Sequence, residues 1–220
     1  MRAYVRSVPD SLVRCQLTCI DRSPLDVAAA RREHDAYVAA LREAGLDVQV
    51  LDSDEDHPDC PFIEDLVLAV GGALILTNPG APSRRGERAG ITAAIGPHLL
   101  MPEHLHLDGG DVLQVGDRLF VGRSSRTSPE AIRWLEQATG LETTPVQVRS
   151  VLHLKTGITA LDDRTLLWAP GSVDPLPFAS FELLPTPPDE AAAANVLRLP
   201  DRLLVPAGLP STLHLLRERG

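Results

Sequence analysis

The segment Leu66–Thr77, LVLAVGGALILT, places two apolar stretches on either side of a glycine pair. Glycine accepts the backbone angles of two-residue hairpin turns, so this segment predicts two antiparallel strands that meet at Gly71-Gly72. Three later segments repeat the pattern, with turns at Gly116-Asp117, Asp162-Asp163 and Pro200-Asp201. The four turns begin at residues 71, 116, 162 and 200, which are 45, 46 and 38 residues apart. A regular step of this size indicates a repeat architecture.

Helical patterns lie between these hairpins. Leu25–Ala44 has apolar residues at helical spacing, and Gly45 follows it as a C-cap. Ser128–Thr139 begins with a favourable N-cap and ends before Gly140. Two shorter segments also favour helix, Arg85–Ile95 and Pro210–Arg217. Each repeat is therefore predicted to contain two strands and a helix, and the N-terminal Ala3–Val8 is predicted to be a lone strand.

The bulk composition narrows the class of protein. The chain has 220 residues, of which 44% are hydrophobic, and its net charge is -9. A strongly acidic chain is a poor partner for nucleic acid, whereas it suits a cationic small molecule. The sequence contains no apolar stretch that predicts a membrane helix and no signal peptide, so a soluble, cytoplasmic protein is expected.

Three cysteines, an odd number, do not favour disulfides in such a chain. Cys15, Cys19, His57 and Cys60 have tolerable spacings for zinc. They lack a second compact cysteine pair, however, so no metal site is predicted.

Acidic residues interrupt an apolar pattern just before the first hairpin. Glu64 and Asp65 fall within Phe62–Val70, which has the composition of a strand. Neighbouring strand residues point to opposite faces, so one of the two carboxylates would face the core. A buried carboxylate is costly unless it is paired. A guanidinium ligand and an internal arginine both remain open as the partner.

Other polar residues lie at positions typical of sites. Arg84 is in a turn-rich loop after a strand, where arginines commonly hold carboxylates. Asp108 is followed by two glycines, which permit close backbone approach. His153 lies in Val151–Thr156, an alternating pattern that predicts a strand with His153 and Lys155 on one face. A histidine there suits general acid–base work, and a structural histidine is the alternative.

The order and spacing of six motifs resemble those of the dimethylarginine dimethylaminohydrolase family. The motifs are FIED (62–65), NPGAPSRRGE (78–87), LDGGDVL (107–113), VGRSSRT (121–127), LHLKTG (152–157) and VPAGLP (205–210). The resemblance implies one α/β domain over residues 1–220 with the pentein fold, a propeller of five pseudo-repeats around a polar channel. The independent count of hairpin repeats agrees with that fold.

The resemblance also implies roles for individual residues. Asp65 and Asp59 resemble the acids that bind the guanidinium and amino ends of the substrate, and Glu64 is the neighbouring acid of the same motif. Arg84 and Arg126 look like clamps for the substrate α-carboxylate. The remaining roles are the general acid–base (His153), the carboxylate that orients it (Asp108) and a position in the lid loop (Leu17).

The implied activity is hydrolysis of a non-peptide C–N bond. A cysteine thiolate attacks the guanidinium carbon of dimethylarginine, and His153 protonates the leaving dimethylamine and then activates water to release citrulline. No metal or organic cofactor is implied. The partner is a small guanidine compound, with no nucleic acid or membrane, and a homodimer is the candidate assembly.

One departure from the family pattern is large, because no cysteine follows Cys60 whereas the nucleophile of the family lies in the last strand region. A fifth hairpin would begin about 40 residues past Pro200. The expectation is therefore a chain that is truncated at its C-terminal end, inactive as 220 residues, with Ala3–Val8 left unpaired. An arginine deiminase-like or amidinotransferase-like enzyme and a non-catalytic arginine-binding relative are the alternatives.

Overall fold

The computed structural model describes residues 1–19 and 21–219 of the chain. They form two compact units, Met1–Gly109 (unit 1) and Gly110–Gly220 (unit 2), each with its own sheets. In the described part of the chain, no helix has the length and apolar character that crossing a bilayer requires.

Unit 1 begins with a parallel strand pair that the sequence did not predict. β1 (Arg2–Arg6) pairs in parallel with β2 (Asp47–Leu51), and the helix α1 (Val27–Glu43) connects them. The expectation of a lone strand at Ala3–Val8 was therefore wrong. The partner was missed because β2 is short and largely exposed, which leaves a weak apolar signal.

The predicted ends of α1 are confirmed within two residues. Asp26 caps the helix by accepting a hydrogen bond from the backbone N–H of Ala29 at 3.0 Å. Gly45, with φ of 79°, adopts the left-handed conformation that terminates it. The helix buries Val38 and Leu41 and exposes its polar face.

The first predicted hairpin is confirmed. β3 (Val67–Val70) and β4 (Ala73–Leu76) pair antiparallel around Gly71 and Gly72, whose φ angles are 58° and 77°. A 3₁₀ helix (Pro82–Arg88) and the single turn α2 (Ala89–Thr92) lead to β5 (Leu99–Leu100), which pairs in parallel with β4. The predicted helix at Arg85–Ile95 is thus divided between the end of the 3₁₀ helix and α2, and its last three residues are not helical.

The predicted strand over Phe62–Val70 was wrong in its first half. Ile63–Asp65 forms a 3₁₀ turn, closed by hydrogen bonds from Asp65 N to Phe62 O and from Leu66 N to Ile63 O. Glu64 and Asp65 therefore do not alternate across a sheet. The turn buries Asp65 and leaves Glu64 exposed.

Unit 2 repeats the same motif of a hairpin followed by a parallel third strand. β6 (Val112–Val115) and β7 (Arg118–Arg123) are antiparallel, and β8 (Glu142–Gln147) pairs in parallel with β7. The helix α3 (Pro129–Thr139) lies between β7 and β8 in the chain, with Ser128 as its N-cap and Gly140 at φ of 69° as its C-cap.

The motif then occurs once more in full. A one-turn helix α4 (Leu154–Gly157) precedes β9 (Ile158–Ala160), β10 (Thr165–Trp168) and the parallel β11 (Glu182–Pro185). A last short hairpin joins β12 (Leu197–Arg198) and β13 (Leu203–Leu204), and α5 (Pro210–Glu218) follows it. All four predicted hairpins are thereby confirmed, whereas the three parallel strands β5, β8 and β11 were missed.

The predicted strand at Val151–Thr156 was wrong. His153 has extended backbone angles, but the helix α4 begins at the next residue, so His153 is its N-cap. His153 and Lys155 therefore do not share a strand face. A local alternation of apolar residues over six positions cannot distinguish a strand from a loop that leads into one helical turn.

Candidate active site

A buried ion network organises the predicted acidic residues of unit 1. Arg84 is only 3% exposed, and its Nε and Nη2 atoms donate to the two carboxylate oxygens of Glu87 at 2.9 and 3.0 Å. Its Nη1 atom donates to Oδ2 of Asp65 at 2.6 Å. Nη2 also donates to the backbone carbonyls of Asp59 and Phe62 at 3.2 and 3.0 Å. One guanidinium thus fixes both the Asp65 carboxylate and the backbone next to it.

The charge of this arginine is firmly held. Burial opposes its charged form, but the hydrogen bonds and charges of Glu87 and Asp65 outweigh burial and raise the pKa of Arg84 above its already high ordinary value. Arg84 is therefore a permanent cation, and it keeps a fixed positive charge beside Asp65.

Asp59 lies beside the segment that carries Leu17. Both carboxylate oxygens of Asp59 accept the backbone N–H of Gln16 at 3.1 Å, and the side chain is 8% exposed. The side chain of Gln16 in turn accepts a hydrogen bond from Ser83 Oγ at 2.9 Å. Leu17 packs against a small apolar cluster that includes Val8, Leu12 and Cys15. The structure therefore brings together the predicted residues Leu17, Asp59 and Arg84.

The glycines after Asp108 allow a close backbone approach within unit 1. Asp108 is fully buried, and its Oδ1 atom accepts the backbone N–H of Gly80 at 2.7 Å. A Cβ atom at Gly109 would lie 1.9 Å from the carbonyl oxygen of Glu64. Only glycine fits at position 109, so the aspartate–glycine motif packs directly on the turn that holds Glu64 and Asp65.

In unit 2 the buried carboxylate of Asp111 accepts several hydrogen bonds. Its Oδ2 atom accepts Ser124 Oγ at 2.5 Å and Thr127 Oγ1 at 2.7 Å. Its Oδ1 atom accepts the backbone N–H of Leu154 at 3.0 Å and lies 3.7 Å from Nδ1 of His153. Asp111 is fully buried, so these contacts lie away from solvent.

The two predicted site residues of unit 2 lie next to this carboxylate. His153 immediately precedes Leu154, whose backbone N–H donates to Asp111, and the His153 side chain is 12% exposed. Arg126 is 6% exposed, and its backbone N–H donates to Ser124 Oγ at 2.9 Å. Asp111 and Glu87 were not among the residues to which the sequence assigned a role. The available signals were the second carboxylate of LDGGDVL and the spacing of Glu87 three residues after Arg84.

Two of the three cysteines of the sequence are buried thiols. Cys15 packs in the apolar cluster with Val8 and Leu12. Cys60 is fully buried, its Sγ donates to the carbonyl of Asp54 at 3.7 Å, and burial raises the pKa of its thiol. Cys19 is an exposed free thiol. A thiol with a raised pKa is a poor nucleophile at neutral pH, so Cys60 is a structural residue.

Comparison with known proteins points to one family. The family model described as N,N dimethylarginine dimethylhydrolase, eukaryotic, matches residues 23–162. The chain is 34% identical to the N(G),N(G)-dimethylarginine dimethylaminohydrolase of Pseudomonas aeruginosa, over 100% of this chain and 87% of that protein. It is 37% identical to the Streptomyces coelicolor protein of the same name, again over 100% of this chain and 87% of the relative.

A solved structure resembles this one closely. It is the P. aeruginosa enzyme as a cysteine-to-serine variant in complex with citrulline, with 34% sequence identity and a TM-score of 0.89. The match covers 99% of this chain and 88% of that one. The roles that the sequence suggested for individual residues stay predictions.

Proposed function

The chain belongs to the dimethylarginine dimethylaminohydrolase family, and we propose that it hydrolyses dimethylarginine to citrulline and dimethylamine. Its α/β fold is of the pentein type, as the sequence predicted. The observation that carries the proposal is similarity along the whole chain, at 34% and 37% identity, to two enzymes with this name.

Recognition of the guanidinium is proposed to rest on the carboxylates of unit 1. A guanidinium carbon is a poor electrophile because its positive charge is delocalised over three nitrogens. Asp65, held in place by Arg84, is suited to orient that group through paired hydrogen bonds, with Glu64 as the neighbouring acid. Asp59 is assigned to the α-amino group of the substrate.

Binding of the α-carboxylate is proposed for Arg126 and Arg84. Arg84 already donates to Glu87, Asp65 and two backbone carbonyls. We therefore assign to Arg84 mainly the placement of Asp65, and Arg126 stays the proposed partner of the carboxylate.

Proton transfer is proposed for His153, with Asp108 as its orienting carboxylate. A cysteine thiolate adds to the guanidinium carbon, and the tetrahedral adduct collapses as His153 protonates the departing dimethylamine. Water then adds to the thiouronium intermediate with His153 as the base, which releases citrulline and regenerates the thiolate. Cys15, Cys19 and Cys60 all lie far before the last strand region, where the family resemblance places the nucleophile, so this role is assigned to none of them.

The repeated strand motif also supports a proposal about how the domain is built. The motif of a hairpin plus a parallel strand occurs three times in full, and the hairpin β12–β13 and the parallel pair β1–β2 supply parts of further copies. We propose that one closed domain of five pseudo-repeats results, and that the protein is cytoplasmic and dimeric. An experimental structure and sedimentation analysis would test the closure and the dimer.

The direct test is citrulline release by the protein expressed from its own gene. Asymmetric dimethylarginine and arginine should be compared as substrates, with Asp65→Asn as a matched variant. We expect turnover of dimethylarginine, and its loss in Asp65→Asn. Turnover of arginine alone would favour a deiminase-like activity, and binding of dimethylarginine without turnover would favour a non-catalytic relative.

A further inference from the structure

The Asp111 carboxylate stands between two segments that carry functional residues in unit 2. One segment, Ser124 to Thr127, contains Arg126, and the other leads into α4 and contains His153. Asp111 lies just before β6 and accepts hydrogen bonds from both segments. A single side chain therefore links the backbone around the arginine to the backbone around the histidine.

Asp111 contacts the arginine segment through the hydroxyl group of Ser124, which lies between the carboxylate and the backbone of Arg126. Ser124 Oγ donates to Asp111 at 2.5 Å and accepts the backbone N–H of Arg126 at 2.9 Å. Thr127 Oγ1 donates to the same carboxylate oxygen at 2.7 Å. The loop is thus fixed on both sides of Arg126, which determines where its side chain begins.

The contact with the histidine segment is direct. The Oδ1 atom of Asp111 accepts the Leu154 amide at 3.0 Å and lies 3.7 Å from Nδ1 of His153. The amide contact fixes the first residue of α4 and thereby the backbone from which the neighbouring His153 side chain begins.

The packing of β7 reserves space for this carboxylate. A Cβ atom at Gly122 would lie 2.5 Å from Oδ1 and 3.0 Å from Cγ of Asp111. A larger residue at position 122 would therefore displace the carboxylate without changing its charge.

We infer that Asp111 is a positioning residue that holds both the acid–base histidine, His153, and the carboxylate-binding arginine, Arg126, through one buried carboxylate. The inference rests on the proposed function, because it takes the roles of these two residues from it. It assigns Asp111 no contact with substrate.

The first variant to test is Asp111→Asn, with Asp117→Asn on the exposed turn of the same hairpin as the charge-matched control. The amide of asparagine cannot accept both from the hydroxyl groups and from the Leu154 amide. We expect kcat to fall by up to roughly 100-fold, since misplaced catalytic groups cost this much. KM should rise at the same time, and Asp117→Asn should match the wild type in both constants.

Ser124→Ala separates the contact of Asp111 with the Arg126 segment from its contact with the His153 segment. It removes the hydroxyl contact with Arg126 and leaves the Leu154 amide contact intact, so we expect KM to rise and kcat to stay within about twofold of wild type. Gly122→Ala should reproduce the kinetic defect of Asp111→Asn with the charge retained. It also keeps the inference testable if Asp111→Asn does not fold.

The readouts distinguish positioning from mere stability. A purely structural Asp111 would lower the melting temperature of the variant but leave kcat and KM per folded molecule unchanged, and that result would overturn the inference. A loss of kcat in Ser124→Ala as large as that in Asp111→Asn would contradict the expectation that Ser124 positions Arg126 but not His153.

Two measurements that do not require turnover can test the role of Asp111 even if the proposed function fails. The ring ¹⁵N signals of His153 and calorimetric binding of citrulline can be compared between wild type and Asp111→Asn. If the wild type released no citrulline, the proposed function would fail, but a shift of the His153 signals with weakened citrulline binding would still support the positioning role. Unchanged signals and binding would contradict it.

Discussion

The buried guanidinium of Arg84 in unit 1 is a stable cation because all three of its nitrogens donate hydrogen bonds. Arg84 is 3% exposed and Glu87 is 1% exposed, so both have lost most of their hydration. Transfer of an ion from water costs several kcal/mol, which is recovered only with good geometry and saturated hydrogen bonds. The bidentate contact with Glu87 and the contact with Asp65 meet that condition.

Removal of one partner from this network should be costly. Glu87→Ala removes the bidentate partner of the buried Arg84 guanidinium and leaves Asp65 as its carboxylate partner. We expect a loss of about 3–5 kcal/mol in the free energy of unfolding. Urea titration followed by circular dichroism measures it. Asp47→Ala, which removes the exposed partner of Arg2, is the control and should have a far smaller effect. A similar small loss in Glu87→Ala would show that the network contributes little to stability.

His153 should matter for turnover rather than for substrate binding. General acid–base groups contribute roughly 10²- to 10⁴-fold to rate, so His153→Ala should lower kcat by that factor. The dissociation constant of dimethylarginine, measured by calorimetry, should change much less. The exposed His104 provides the matched control, His104→Ala, and should have wild-type kinetics. An unchanged kcat in His153→Ala would remove the acid–base role.

The assignment of arginines to the α-carboxylate can be tested on the ligand instead of the protein. A decarboxylated analogue of dimethylarginine lacks the group that Arg126 is proposed to hold. Hydrogen bonds to charged groups contribute about 1.5–3 kcal/mol, so the analogue should bind roughly 10- to 150-fold more weakly. Equal affinity of the two compounds would exclude the clamp. The variant Arg126→Ala should make the affinities converge.

Among the secondary-structure elements, α5 shows how a short helix is anchored from a distance. Its backbone amides at Ser211 and Thr212 donate to the two carboxylate oxygens of Glu190 at 2.9 and 2.7 Å. These amides are among the donors that a helix leaves unsatisfied at its N-terminus. Glu190, which precedes β12, therefore caps a helix 20 residues further along the chain.

This cap should make the stability of the protein depend on pH. Burial opposes the charged form of Glu190, but the bonds from Thr212 and Ser211 prevail and lower its pKa below the ordinary value. A carboxyl group whose pKa is lower in the folded state stabilises the fold above the unfolded pKa. That contribution is lost as the pH falls through the folded pKa.

We therefore expect Glu190→Gln to be less stable than wild type at pH 7. The difference should begin to shrink as the pH falls below the ordinary glutamate pKa of about 4.3, and it should vanish below the lower folded pKa. Melting temperatures of the two proteins between pH 7 and pH 3 measure this. The neighbouring exposed residue supplies the control variant, Asp189→Asn, which should follow wild type throughout. A difference that stays constant with pH would show that shape rather than charge makes the cap.

Over the whole molecule, the charge balance should attract the proposed substrate. The chain carries a net charge of -9, and the dimethylarginine side chain is a cation, whereas the citrulline side chain is neutral. The Debye length falls from about 30 Å at 0.01 M salt to about 8 Å at 0.15 M salt. Long-range attraction of a cation should weaken over that range.

Calorimetric titrations at the two salt concentrations would reveal this attraction. We expect the dissociation constant of dimethylarginine to rise with salt and that of citrulline to change little. The same salt dependence for both ligands would show that only contacts common to them decide binding.

The amino-acid sequence by itself determined the local elements of this protein. The hairpin turns at Gly71-Gly72 and Gly116-Asp117 and the capped helix Ser128–Thr139 follow from residues that are close in the chain. Glycine at positive φ, a cap beside its helix and apolar periodicity are local signals. The order of the motifs was also sufficient to identify the family.

Tertiary structure alone decided which distant groups meet. β1 found its partner β2 with Arg2 opposite Asp47, and Asp111 accepts an amide at Leu154, 43 residues away. Ile63–Asp65 became a turn, and the carboxylate of Asp65 came to the buried Arg84. Such pairings satisfy buried donors and acceptors in three dimensions, and that requirement leaves no periodic trace in the local sequence.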